Sequence, residues 1–251
     1  MTLLESVVVF VAGIGAGTIN TIVGSGTLIS FPTLLAVGFP PVLANVSNTV
    51  GLVPGSIAGA WGYRRELRGQ RDRLIRLGSA SLLGGVVGAL LLLELPTEAF
   101  GAVVPVLIGI GCVLVVAQPW ITRHVQLADD PPAHGSWGVW VLVGLTGIYG
   151  GYFGAAQGVL LIAVMGLGMT DTLQRINAAK NVLAALVNGV AGLVFIAMTD
   201  VAWVAAALIA AGAVVGGVVG SSVGRRLPAA VLRGFVALVG VVAICQLLFF
   251  S

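Results

Sequence analysis

The chain has 251 residues, 58% of them hydrophobic and only 8% charged, with a mean hydropathy of +1.10. That leaves too little charged surface for a water-soluble domain of this size, so a polytopic membrane protein is expected. A formal charge of +3 does not argue for a nucleic-acid partner, because the basic residues sit in short loops between apolar runs, where they report topology.

In chain order the sequence offers ten apolar segments, five in each half. The first five run 6–22, 26–38, 42–62, 77–93 and 99–119; the second five run 137–153, 157–169, 173–198, 201–223 and 230–250. Most approach the ~20 residues a spanning helix needs, but the second segment of each half has about a dozen, too few for a ~30 Å core. Chain ends inside a membrane are tolerated only where protein or a wet cavity covers them. The first two segments of each half therefore read as a glycine-broken, partly re-entrant hairpin. The N-terminus, Met1 to Glu5, lacks a basic region and the first apolar run lacks a clear cleavage site, so no removable signal peptide is expected. Cys112 and Cys245 lie within apolar segments and read as small buried hydrophobes.

A shift of 132 residues superposes Gly15 on Gly147, Gly26 on Gly158, Asn45 on Asn177, and Gly84-Gly-Val-Val-Gly88 on Gly216-Gly-Val-Val-Gly220. One constant offset over this length marks an internal repeat. The expected organisation is a first repeat over 1–125, a linker over 126–136 and a second repeat over 137–251. An odd number of segments per half inverts the second repeat, as in many secondary transporters. The fold class expected is thus an all-α polytopic membrane protein of two inverted five-segment repeats. With alternating segments all 12 lysines and arginines fall on or toward one side, which the positive-inside bias makes cytoplasmic, with both termini outside. Trp61, Tyr63, Trp120, Trp137 and Trp140 then lie at inner ends and Trp203 at an outer one. Glycines recurring every fourth residue in segments four and nine are expected to let helices pack closely.

Polar residues within the apolar segments concentrate in the repeated stretch. The candidate substrate-binding set is Asn20, Gly24, Ser25, Gly26, Asn45, Asn48, Thr49, Tyr152, Gln157, Gly158, Asn177, Lys180 and Asn181. Amides and hydroxyls often serve only to join helices, yet two clusters at matching places beside two broken helices point to a site. Half-helix N-termini, with unpaired N–H groups and a partial positive charge, suit a small anion. Lys180 lies ~10 Å along segment eight, where it either faces a cavity or snorkels back to the interface.

The chain resembles the sulfite exporter TauE/SafE membrane proteins. The resemblance is carried by Gly24-Ser-Gly26 with Pro32 after it, Gly38-Phe-Pro-Pro41 through Asn45-Val-Ser-Asn-Thr49, Tyr63-Arg64, Gly147-Ile-Tyr-Gly-Gly-Tyr-Phe-Gly154 and Asn177-Ala-Ala-Lys-Asn181. Family members often have a glycine run where this chain has Ala155-Ala156-Gln157. The resemblance implies a transporter of small sulfur-containing anions such as sulfite, organosulfonates or thiosulfate, exporting them across a bacterial cytoplasmic membrane. A passive anion channel is the alternative, since its lining would also be glycines and amides.

No enzyme is expected. The metalloprotease, nucleophile-elbow and Cys-x-x-Cys motifs are absent, no carboxylate pair lies mid-span, and His124 and His134 fall in the loop between repeats. No cofactor and no metal site are expected. The partners expected are a small anionic substrate and the lipid bilayer, with a homo-oligomer compatible and nucleic acid excluded.

Overall fold

The computed structural model describes residues 1–124 and 135–223, together with Gly234, Leu238, Val239 and Val241. Most of the tenth predicted segment, most of the 126–136 linker, and Arg225, Arg226 and Arg233 lie outside the described residues. The described chain is all helical: α1 Leu3–Ile22, α2 Thr27–Ala36, α3 Pro41–Gly62, α4 Arg71–Glu94, α5 Thr97–His124, α6 Trp137–Tyr152, α7 Gln157–Gly168, α8 Leu173–Met198 and α9 Trp203–Val223. Five of these, α1, α4, α5, α8 and α9, are long and apolar enough to cross a membrane. Their lipid-side character shows in the many exposed large apolar side chains, such as Leu83, Val113, Leu193 and Val204.

The helices begin where local chemistry lets them. Thr2 and Glu5 form a reciprocal capping box at α1, Pro41 opens α3 with its fixed φ, and the Ser136 and Thr172 hydroxyls accept from the backbone N–H groups of Val139 and Arg175. Two boundaries differ from the sequence reading. α4 starts at Arg71, six residues before the apolar run. Arg73 stabilises that extra turn, its Nη1 donating to Gln70 Oε1 at 2.7 Å and pairing with Asp171 at 2.6 Å. α5 continues to His124, which places that histidine at a helix end rather than in a loop.

The packing is reciprocal. α1 lies against α9, and α6 against α4; α3 packs on α9 and α8 on α4, while α3 and α8 meet each other. Advancing any of these by five elements generates its counterpart. Both tight contacts are backbone on backbone. A Cβ added at Gly212 or Gly216 would collide with the Phe10 or Ile14 carbonyl, and one at Gly84 or Gly88 with the Gly144 or Ile148 carbonyl. The repeated glycines are therefore packing surfaces, in agreement with the expectation.

The short helices are α2, with 10 residues, and α7, with 12. At 1.5 Å per residue they reach only about 15 and 18 Å, roughly half a membrane. Thr27 to Pro32 are all buried in α2, so its first turn and a half is enclosed by protein while its last turn reaches the surface at Ala36. α1 turns into α2 through Gly24, whose φ of +89° needs glycine; α6 turns into α7 through Gly154 at +76° and Ala156 at +61°. With the 132-residue offset, Gly24 and Ala156 are counterparts. The repeat thus extends to an unusual backbone conformation.

Candidate functional site

The two hairpin tips meet inside the protein. The Gly158 N–H donates to the Gly24 carbonyl at 2.9 Å, and a Cβ built at either glycine would run into the Cα of the other. This contact takes up the first free N–H of α7. An added side chain at Gly158 or Gly26 would meet packed protein, for Gly26 the Ala16 carbonyl and Asn20.

Just beyond the tips, each hairpin's first helix ends deep in the fold, where its last carbonyls lack partners within the helix. Side chains from the other half supply them. At the end of α1, the Thr21 carbonyl accepts from Lys180 Nζ at 3.1 Å, Asn181 Nδ2 at 3.3 Å and Asn177 Nδ2 at 3.4 Å, while Lys180 Nζ also donates to the Asn20 carbonyl at 2.8 Å. At the end of α6, Asn45 Nδ2 donates to the Tyr152 carbonyl at 2.9 Å. Asn45 and Asn177 are repeat counterparts on α3 and α8, and each holds the helix end of the opposite half. Asn48, the counterpart of Lys180, instead bonds within its own half: it accepts from the Ser30 hydroxyl and its amide approaches Thr27 Oγ1 at 3.4 Å, both on α2.

Lys180 is fully buried, so it does not snorkel. Its stem lies along the second tip, with Cδ where a Gly158 side chain would go. Among the described residues no carboxylate pairs with it. Its two carbonyl partners belong to a helix C-terminus, where the partial negative charge favours a cation.

Four buried polar atoms of the candidate set have no hydrogen-bond partner among the described residues: Ser25 Oγ, Asn45 Oδ1, Gln157 Nε2 and Asn177 Oδ1. They fall into two counterpart pairs, Ser25 with Gln157 and Asn45 with Asn177. In both asparagines the NH2 end is fixed by the carbonyl it serves, so the free atom is the oxygen and cannot be exchanged for a donor. The set is not all gathered at one point. Asn20, Gly24, Gly158, Asn177, Lys180 and Asn181 cluster at the end of α1; Asn45 and Tyr152 meet at the end of α6, and Asn48 lies against α2. The Gln157 side chain packs on Gly150, and Thr49 is buried but makes no side-chain hydrogen bond among the described residues. Sequence reading missed Thr21, Ser30 and Ser56. Ser56 Oγ accepts from Asn20 Nδ2 at 3.1 Å; the segment-wide match of the repeats gave the only hint of it, since Ser56 is the counterpart of Asn188. The Tyr149 hydroxyl donates to the Ala155 carbonyl, bracing the second tip.

A charged network closes the arginine-rich end. Asp171 pairs with Arg73 at 2.6 Å and Arg175 at 2.8 Å, Arg175 Nη1 donates to the Arg68 carbonyl at 3.0 Å, and Gln70 Nε2 donates to the Arg175 carbonyl at 3.1 Å. Burial raises the Asp171 pKa, but hydrogen bonds from Arg73, the Thr172 N–H and Arg175 outweigh it and hold the carboxyl below the ordinary carboxylate value. Among the described residues no cluster of His, Cys, Asp and Glu suits a metal ion.

Comparison with known proteins fits this architecture. The family model for the sulfite exporter TauE/SafE matches residues 9–247. The chain is 26% identical to the probable membrane transporter protein YfcA of Escherichia coli (strain K12), over 99% of this chain and 91% of that protein. It is also 26% identical to the probable membrane transporter protein ORF9 of Sinorhizobium sp, over 95% of this chain and 90% of that one. With matched coverage from end to end and paired half-helices enclosed by apolar spans, the chain belongs to the TauE/SafE family and is a multi-pass membrane transporter.

Proposed function

We propose that the protein is a secondary transporter that exports small sulfur-containing anions, of the sulfite, organosulfonate or thiosulfate type, across the bacterial cytoplasmic membrane by alternating access. The observation that carries this reading is Lys180: a buried basic side chain beside two meeting hairpin tips, held by two backbone carbonyls and by no carboxylate. A small anion is the partner that such a cation lacks. Ser25 Oγ and Gln157 Nε2, free donors at counterpart positions, supply hydrogen bonds to its oxygens.

The halves 1–125 and 137–251, joined by 126–136, act in this reading as inverted repeats that rock about the tips. The reciprocal bonds of Asn45 and Asn177 to opposite helix ends support that symmetry. The Asp171 network is the latch that keeps the arginine-rich, cytoplasmic end shut, and both termini lie outside. Purified protein screened against sulfite, thiosulfate, taurine and sulfate should bind one or more of the sulfur anions and show counterflow of it in proteoliposomes. Uniform failure to bind sulfur oxyanions would remove the substrate class. Passage down a gradient without counterflow would make the protein a channel.

A further inference from the structure

A second polar site lies at the arginine-rich end between α3 and α9, next to where Thr21 packs on Gly59 and Gly220. The C-terminal ends of these two helices enclose a cavity of about 320 Å³ lined by Trp61, Arg64, Arg65, Ser221 and Ser222, among others. We infer that it holds the phosphate and hydroxyls of an anionic, glycerol-headgroup phospholipid.

The argument starts from charge. Two helix C-termini bring partial negative charge to this spot, so the arginines must supply the attraction for any anion. Arg64 is already oriented: its Nη1 donates to the Trp61 carbonyl at 3.2 Å and its guanidinium stands 5.5 Å from the centre of the Trp61 ring. Arg65 forms no ion pair among the described residues. Two arginines lining one cavity supply guanidinium groups that suit the oxygens of a phosphate. Trp61 is 71% exposed, and an exposed tryptophan at a helix end belongs at the headgroup level of a bilayer.

The serines add the headgroup preference. Ser221 and Ser222 both donate their hydroxyl protons to the Val218 carbonyl, at 2.9 Å each. With those protons committed, each Oγ is left as an acceptor. A ligand that presents hydroxyls next to its phosphate satisfies both halves of the cavity; a bare phosphate monoester satisfies only the arginines. A soluble glycerol phosphate has the same chemistry as the lipid, but the exposed tryptophan and the bilayer depth favour the lipid.

Native mass spectrometry of the purified protein titrated with phosphatidylglycerol, phosphatidic acid and phosphatidylethanolamine of equal chain length tests this. Phosphatidylglycerol should bind at least five-fold more tightly than either of the others. The double substitution Arg64→Gln/Arg65→Gln should weaken all three lipids at least five-fold, Arg64→Lys/Arg65→Lys should restore only part of that loss, and Ser221→Ala/Ser222→Ala should reduce phosphatidylglycerol to the level of phosphatidic acid. Equal binding of all three lipids, undiminished lipid binding by the glutamine pair, or competition by free glycerol phosphate at the same concentration as the lipid would each overturn the assignment.

Discussion

Lys180 lies ~10 Å into α8, and its counterpart in the other half is the neutral Asn48. The matching place in the other half thus carries no charge, and in the transport reading proposed above the Lys180 charge serves the anion. Lys180→Gln keeps a donor within reach of the Asn20 and Thr21 carbonyls while removing the cation. It should weaken sulfur-anion binding ten-fold or more, about 1.4 kcal/mol, with normal membrane yield; equilibrium binding on the purified variant checks it, and unchanged affinity would leave the anion to amides and hydroxyls alone. The sequence made the depth of Lys180 legible, and the repeat offset marked Asn45 and Asn177 as a pair. It did not reveal where the amine points, because its partners are backbone carbonyls of α1, and a carbonyl has no residue-type signature. Ser56 escaped for a related reason: a lone serine one turn inside a glycine-rich helix looks like packing until the asparagine it serves is located in space.

Among the elements, the hairpins were the most readable, since a dozen apolar residues after a glycine-rich break is a length no spanning helix has. The contact between their tips was not readable, because it depends on the path of two chains 134 residues apart. Gly158→Ala tests that contact. Its Cβ would meet Gly24 and the Lys180 stem, and overpacking of this kind costs about 1–3 kcal/mol; a thermal unfolding scan in detergent should show a clear drop, and wild-type stability would mean that the tips stand apart. The start of α4 was misplaced because Arg71, Arg73 and Arg76 read as loop, whereas Asp171 turns one of them into a helix anchor. That carboxyl has a lowered pKa in the folded protein, so its contribution to stability is fully present above the ordinary carboxylate value and is lost as pH falls through the lowered one. Asp171→Asn should accordingly lower the melting temperature at neutral pH, and the gap from wild type should narrow below about pH 4. A gap independent of pH would argue against the ion pairs.

For the molecule as a whole, the one-sided charge and the odd segment count predict that residues 97 and 129 lie on opposite sides. In a chain with Cys112 and Cys245 replaced, Thr97→Cys and Asp129→Cys should label with impermeant reagents from opposite faces of the membrane; labelling from the same face would end the inverted-repeat arrangement. The reciprocal bonds between the halves also bear on how the chain is made. When the first half has left the ribosome, the Asn20 and Thr21 carbonyls at the end of α1 lie at membrane depth, and the Lys180, Asn177 and Asn181 groups that bond them have yet to be synthesised. Neither half can finish its own interior. The newly inserted first half must wait with an open helix end until α8 arrives, which makes the interval between the two halves the moment when this protein is most exposed to membrane quality control.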